Sequence, residues 1–192
     1  MKHWIGLVAT LLFCGASFAA TDEIDVPMKA KRVGQHSYTI QGLSGAASAE
    51  NKGFMSNAGF VITREGVVVF DTLASPPLAE KMLRLIRQIT KQPIKIVVVS
   101  HYHADHYYGL QVFKREGAEI WAHRHAEGRT RTEEAALRLA QRKEVLFPWV
   151  DEHTRLLEPD VFIKEDMDFR LGGVHFALRH VGPAHSAEDI AM

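Results

Sequence analysis

Residues 94–99, Ile-Lys-Ile-Val-Val-Val, run directly into Ser100-His101-Tyr102-His103-Ala104-Asp105-His106, and this junction constrains the fold more than any other stretch. A nearly continuous β-branched run needs cover on both faces, as in an interior strand of a sheet flanked by helices. The neighbouring segments supply partners and cover. Residues 37–40 predict a short strand, and residues 59–63 and 67–70, joined by Arg64-Glu65-Gly66, predict a hairpin. Ser75-Pro76-Pro77 reads as an N-cap with proline in the first helical turn. Leu78, Met82, Leu85, Ile86 and Ile89 then recur at helical spacing, which predicts an amphipathic helix over about 76–91. Downstream come a helix stopped by Gly117, a strand at 118–122, and a helix through about Leu146 opened by a capping box from Thr130 to Glu133. Short strands follow at 161–163, 168–171 and 174–178, with Gly172-Gly173 as a hairpin turn. This alternation predicts an α/β fold.

Four potential metal ligands, His101, His103, Asp105 and His106, lie within six residues at the carboxyl end of the predicted interior strand. In α/β sheets that end is where loops converge and ligands bind. On extended backbone His101 and His103 point the same way and can close on one ion, whereas Asp105 and His106 can turn toward a second. Two ions about 3.5–4 Å apart share a hydroxide that is nucleophilic at neutral pH, so the pattern favours hydrolysis. The bland alternative is a set of solvated loop histidines, and Asp105 has the further alternative of capping the helix that follows.

The chain's charge and its start narrow the setting. Lys and Arg total 23 against 23 Asp and Glu, which gives no basic footprint for nucleic acid. The opening Met1-Lys2-His3, the apolar run from Trp4 to Phe13 and the small residues before Thr21 form the pattern of a secretory signal over residues 1–19. The run is too short to span a bilayer, so no stable membrane insertion is expected after cleavage. The only Cys, Cys14, would leave with the signal. Any site in the mature chain must then use His and carboxylate, in a periplasmic or secreted protein without disulfides. Residues 20–35 read as a loose leader and residues 36–192 as one domain.

Residues 97–109, Val-Val-Val-Ser-His-Tyr-His-Ala-Asp-His-Tyr-Tyr-Gly, resemble the H-x-H-x-D-H signature of the metallo-β-lactamase superfamily. Phe70-Asp71-Thr72 resembles the buried Asp that closes an early strand there, and Gly182-Pro183-Ala184-His185-Ser186 resembles the G-x-x-H-[ST] loop carrying the next histidine. The resemblance covers roughly 36–192. It implies an αββα sandwich, represented by its first half and the start of the second. It also implies His101, His103 and His185 on a first zinc, with Asp105 and His106 on part of a second. Asp105 would in addition orient the bridging hydroxide, and Asp71 would brace the metal loop through hydrogen bonds.

The resemblance further implies a hydrolase using a metal-bound hydroxide on an ester, thioester or amide carbonyl of a small-molecule substrate. The His103 and His106 positions favour glyoxalase-II-like and B3-like relatives, and a B3-like β-lactamase is the first alternative. In the family a bridging Asp or Cys and a final His follow the His185-type loop, and neither is present. Two zinc ions are expected of a complete site, the second being incomplete here. The sequence therefore reads as truncated at its carboxyl end, with a metal-binding remnant lacking activity as the other alternative. His123 and His125 read as surface or supporting groups. His36, His153, His175 and His180 carry no functional expectation. Trp121, Phe147 and Trp149 read as core or pocket wall.

Overall fold

The computed structural model describes residues 23–192, so the signal expected over residues 1–19 lies outside the described residues. Seven strands form one sheet in chain order: β1 (Ala30–Arg32), β2 (Ser37–Ile40), β3 (Ala58–Ile62), β4 (Val67–Phe70), β5 (Ile94–Val98), β6 (Glu119–His123) and β7 (Val161–Ile163). β1 through β4 pair antiparallel, and β4 through β7 pair parallel. A short turn joins the antiparallel pair β3 and β4, whereas each parallel pair needs a crossover. The crossovers carry α1 (Pro76–Ile89), then α2 (Ala104–Tyr107) and α3 (Leu110–Arg115), then α4 (Glu133–Leu146). A three-stranded antiparallel sheet of β8 (Met167–Leu171), β9 (Val174–His180) and β10 (Ile190–Ala191) completes the fold.

The period-2 alternation of strand side chains divides the core in two. Val67, Val69 and Val97 face the helices, where Leu78, Met82 and Ile86 of α1 and Phe113 of α3 bury against them. Each such side chain contributes about 1.5–3 kcal/mol relative to exposure. Val68, Ile96 and Val98 face the other way and meet Phe176, Leu178 and Ile190 of the smaller sheet. β5 is thus covered on both sides, as its composition requires. α1 starts as expected, with Ser75 Oγ accepting from the Leu78 N–H at 3.4 Å. Gly172 and Gly173, at φ 52° and 87°, form the tight β8–β9 turn that demands positive φ at both positions.

Three expectations and one alternative need correction. Residues 24–32 are not loose: Ile24, Val26 and Met28 are buried in the main core, and β1 pairs with β2. Their alternation with polar residues puts one side inward, in a segment too short for the pattern to stand out. Thr132, not Thr130, caps α4, its Oγ1 accepting from the Ala135 N–H at 3.1 Å, while the Thr130 hydroxyl donates to Glu158. Phe147 is 68% exposed, because Leu146 takes the core position at the end of α4. Asp105 is not an N-cap, since α2 begins at Ala104 with His103 in the cap position. Trp121 and Trp149 are partly buried against the two cores.

Candidate metal centre

The candidate site lies where β4 and β5 end side by side. Asp71 leaves β4 with φ 62° and Leu73 follows at φ 68°, conformations that side chains other than glycine adopt at a cost and that collect at functional sites. The turn is stitched to the histidine segment. The Asp71 N–H donates to the Val98 carbonyl at 3.0 Å, and the Thr72 N–H donates to the His106 carbonyl at 2.7 Å. Gly109 closes the joint: a Cβ there would sit 2.1 Å from the Thr72 carbonyl oxygen, so only glycine lets α2 approach. From the other side the Ser56 hydroxyl donates to the Asp105 carbonyl.

The Asp71 carboxylate organises the donors. It accepts from the Ser100 N–H, the Ser100 hydroxyl and His106 Nδ1, each at 2.7 Å. The single Ser100 hydroxyl proton goes to that carboxylate, so Ser100 Oγ accepts from His101 Nδ1 at 2.9 Å. His101 Nε2 is therefore the lone-pair nitrogen. It is buried with no hydrogen-bond partner, a costly arrangement unless an ion takes up the lone pair. Beside it, His103 Nδ1 and His185 Nε2 lie 2.8 Å apart. The His101, His103 and His185 rings are mutually near-perpendicular, and one donor atom from each falls within a 4.8 Å group. His106 Nε2 and Asp105 Oδ2 lie 3.3 Å apart, with the tilted His106 ring 4.1 Å from that of His101.

The loop carrying His185 is fixed by its neighbours. Asp189 accepts from the Ser186 N–H at 2.8 Å and the Ser186 hydroxyl at 2.7 Å, and the Ile190 N–H donates to the Ser100 carbonyl at 3.0 Å. That last bond ties β10 to the second residue after β5. Above the site, the Arg129 guanidinium lies 4.2 Å from the Tyr102 ring centroid, next to His103.

The environment shifts neighbouring rings in opposite directions, leaving His101 neutral and His106 protonated. Burial, reinforced by His106, His103 and His185, pushes the His101 pKa down to about 4. Burial, with the positive charge of Arg138 next, also lowers that of His103. For His106 burial again opposes the charge, but hydrogen bonds to Asp105 and Asp71 outweigh it and push the pKa up to about 10. Burial works against ionisation of Asp105 too, yet its contact with His106 keeps the carboxyl below its ordinary value. The free lone pair of His101 Nε2 thus lies on one side, beside the hydrogen-bonded His103 and His185 rings, and an ionised carboxylate on the other. These donors fit borderline metal ions such as zinc.

The five residues expected as ligands all come together here, with Asp71 behind them. Sequence reasoning missed Ser100 and Asp189, which set a tautomer and hold a loop. Of the two readings of His123, the surface one does not hold, since it is 2% exposed with its ring stacked on His180.

A family model described as the metallo-β-lactamase superfamily matches residues 51–191. The chain belongs to that superfamily. A metallo-β-lactamase from Pontibacter korlensis superposes with a TM-score of 0.61 at 20% identity, covering 85% of this chain and 65% of its own. A B3 metallo-β-lactamase with an active-site glutamic acid gives 0.59 at 20% identity, covering 85% and 56%. Over 52 residues the chain is 38% identical to a linear primary-alkylsulfatase of Pseudomonas sp. (strain ATCC 19151), which amounts to 27% of this chain and 10% of that protein. The chain thus spans less than two thirds of these relatives' lengths. The superfamily is one of metal-dependent hydrolases. No helix among the described residues is long and apolar enough to cross a membrane.

Proposed function

We propose that the chain is the catalytic part of an exported zinc-dependent hydrolase that cleaves an ester, thioester or amide carbonyl of a small molecule. One observation carries this reading: His101 Nε2, buried and unpartnered, faces a group in which His103 Nδ1 and His185 Nε2 lie 2.8 Å apart. When bound, zinc supplies a Lewis acid that polarises a carbonyl and lowers the pKa of water. His101, His103 and His185 would hold one ion, and Asp105 and His106 would contribute to a second. Asp71 fixes the His106 ring by accepting at Nδ1, which leaves Nε2 turned toward Asp105. The depressed pKa of Asp105 keeps its carboxylate ionised at neutral pH, ready to accept a proton from the attacking water. The charged start and short apolar run of residues 1–13 support export to the periplasm or beyond.

A second reading, lactam cleavage of the B3 type, is favoured by the B3 enzyme among the structural matches. Turnover of a thioester, a lactone, nitrocefin and an alkyl sulfate by the zinc-loaded full chain separates the readings. Hydrolysis of the thioester or lactone that is lost in His103→Ala supports the first, and nitrocefin turnover alone supports the second. Zinc bound with no turnover of any of them overturns the catalytic reading and leaves a metal-binding protein.

A further inference from the structure

We infer that His123, His125 and His180 form a second transition-metal site, distinct from the His101, His103 and His185 centre, whose ion clamps the loop carrying His185. One ring nitrogen from each of the three falls within a 4.8 Å group, the same closeness that the first cluster shows. The three come from separate places. His123 ends β6 in the large sheet, His125 lies in the 3-10 turn Arg124–Ala126 that follows, and His180 ends β9 in the small sheet. An ion held by all three would cross-link the two sheets at their ends.

The surroundings suit ligation. A ligating histidine usually gives its other ring N–H to a carbonyl or carboxylate, which fixes the tautomer and orients the ring. The Ala187 carbonyl oxygen is placed for this, 3.1 Å from His125 Nδ1 and 2.9 Å from His180 Nε2. His123 Nδ1 accepts from the His125 N–H at 3.4 Å, which holds the His123 ring against the 3-10 turn. The donor set holds only imidazole nitrogens, which selects zinc, copper or nickel over magnesium or calcium. Three histidines also leave a fourth position for water.

Closing on an ion requires one ring to turn. The His123 and His180 rings are parallel to within 5° with centroids 3.8 Å apart, so their in-plane lone pairs run side by side instead of converging. The His125 ring already stands at 80° to that of His123. His123 is fully packed, whereas His180 is partly exposed, so His180 is the ring that tilts. Ligand nitrogens on a tetrahedral ion are about 3.4 Å apart, within reach of that rotation. Ala187 is two residues beyond His185, so ordering around its carbonyl steadies the loop of the first centre.

Zinc binding by the untagged full chain tests the site independently of hydrolysis. Isothermal titration, with bound zinc counted by elemental analysis after dialysis, is compared across wild type, His125→Ala/His180→Gln and His103→Ala/His185→Ala. The expected result is one ion fewer in His125→Ala/His180→Gln than in wild type, and one ion retained in His103→Ala/His185→Ala. Zinc should also slow proteolysis of loop 181–189 in wild type but not in His125→Ala/His180→Gln. Because His125 is exposed, His125→Gln alone should keep the metal-free melting temperature of wild type while weakening the second ion at least tenfold. Equal zinc content and affinity in wild type and His125→Ala/His180→Gln, or no zinc retained by His103→Ala/His185→Ala, overturns the inference.

Discussion

The two histidine clusters use one residue type to opposite electrostatic ends. In the first, the ring nitrogens behind the donors meet Ser100 and a carboxylate, Asp71, and a second carboxylate stands at the front, so one ring is charged and its neighbours are neutral. In the second, the supporting partners are backbone carbonyls, and burial together with His180 and His125 pushes the His123 pKa down to about 4. A carboxylate behind an imidazole raises its basicity and favours the proton as much as the metal. A carbonyl orients the ring without that competition. The first arrangement suits chemistry in which a proton must move, and the second suits a structural tie.

The largest contrast should come from removing a donor. His103→Ala is expected to abolish turnover of whichever substrate the zinc-loaded chain accepts, while His125→Ala leaves most of it; initial rates at saturating zinc check this, and equal losses would merge the two clusters into one functional unit. Next, Asp71→Asn removes the charged acceptor of three hydrogen bonds and should lower zinc affinity or activity by about 10–100-fold at the first centre only. Titration of His125→Ala/Asp71→Asn against His125→Ala isolates that effect. Gly109→Ala forces a methyl group against the Thr72 carbonyl and should cost about 1–3 kcal/mol in urea unfolding, while binding at the second cluster is unchanged once the protein is folded.

The smallest effect is in protons. His106 has a folded pKa raised from 6.5 to about 10, so in the metal-free chain its contribution to stability is fully present below about pH 6.5 and disappears as pH rises through about 10. Zinc at His106 must displace that proton, whereas His123, with a pKa of about 4, has none to lose near neutrality. Titrations at pH 7 in buffers of different ionisation enthalpy should show proton release in His125→Ala/His180→Gln and less in His103→Ala/His185→Ala.

Local patterns carried the sequence reading far. β5 was legible because its β-branched run admits little but an interior strand, and α1 because its cap, prolines and apolar period agree. The β8–β9 turn was legible from two adjacent glycines. The cluster His101 to His106 was legible because its donors are neighbours in the chain. Non-local facts were out of reach. His180 gains meaning only when the small sheet folds over the large one and stacks it on His123. Ser100 bridges Asp71 and His101 by hydrogen bonds only when β4 and β5 end together. The left-handed turn at Asp71 and Leu73 left no trace either, since neither residue type announces positive φ as glycine does.

That turn separates what the protein can change from what it must keep. His101 and His106 are held from beneath, by peptide groups of residues 71–73 and by Ser100 and Asp71, and not by the surface segments around the site. The turns over 124–131, with Arg129 resting on Tyr102, lie outside that framework. Substitutions among the exposed residues there, His125 excepted, leave His101 and His106 where they are. Selectivity and reactivity are inherited from different parts of the chain, so the first can diverge without a toll on the second.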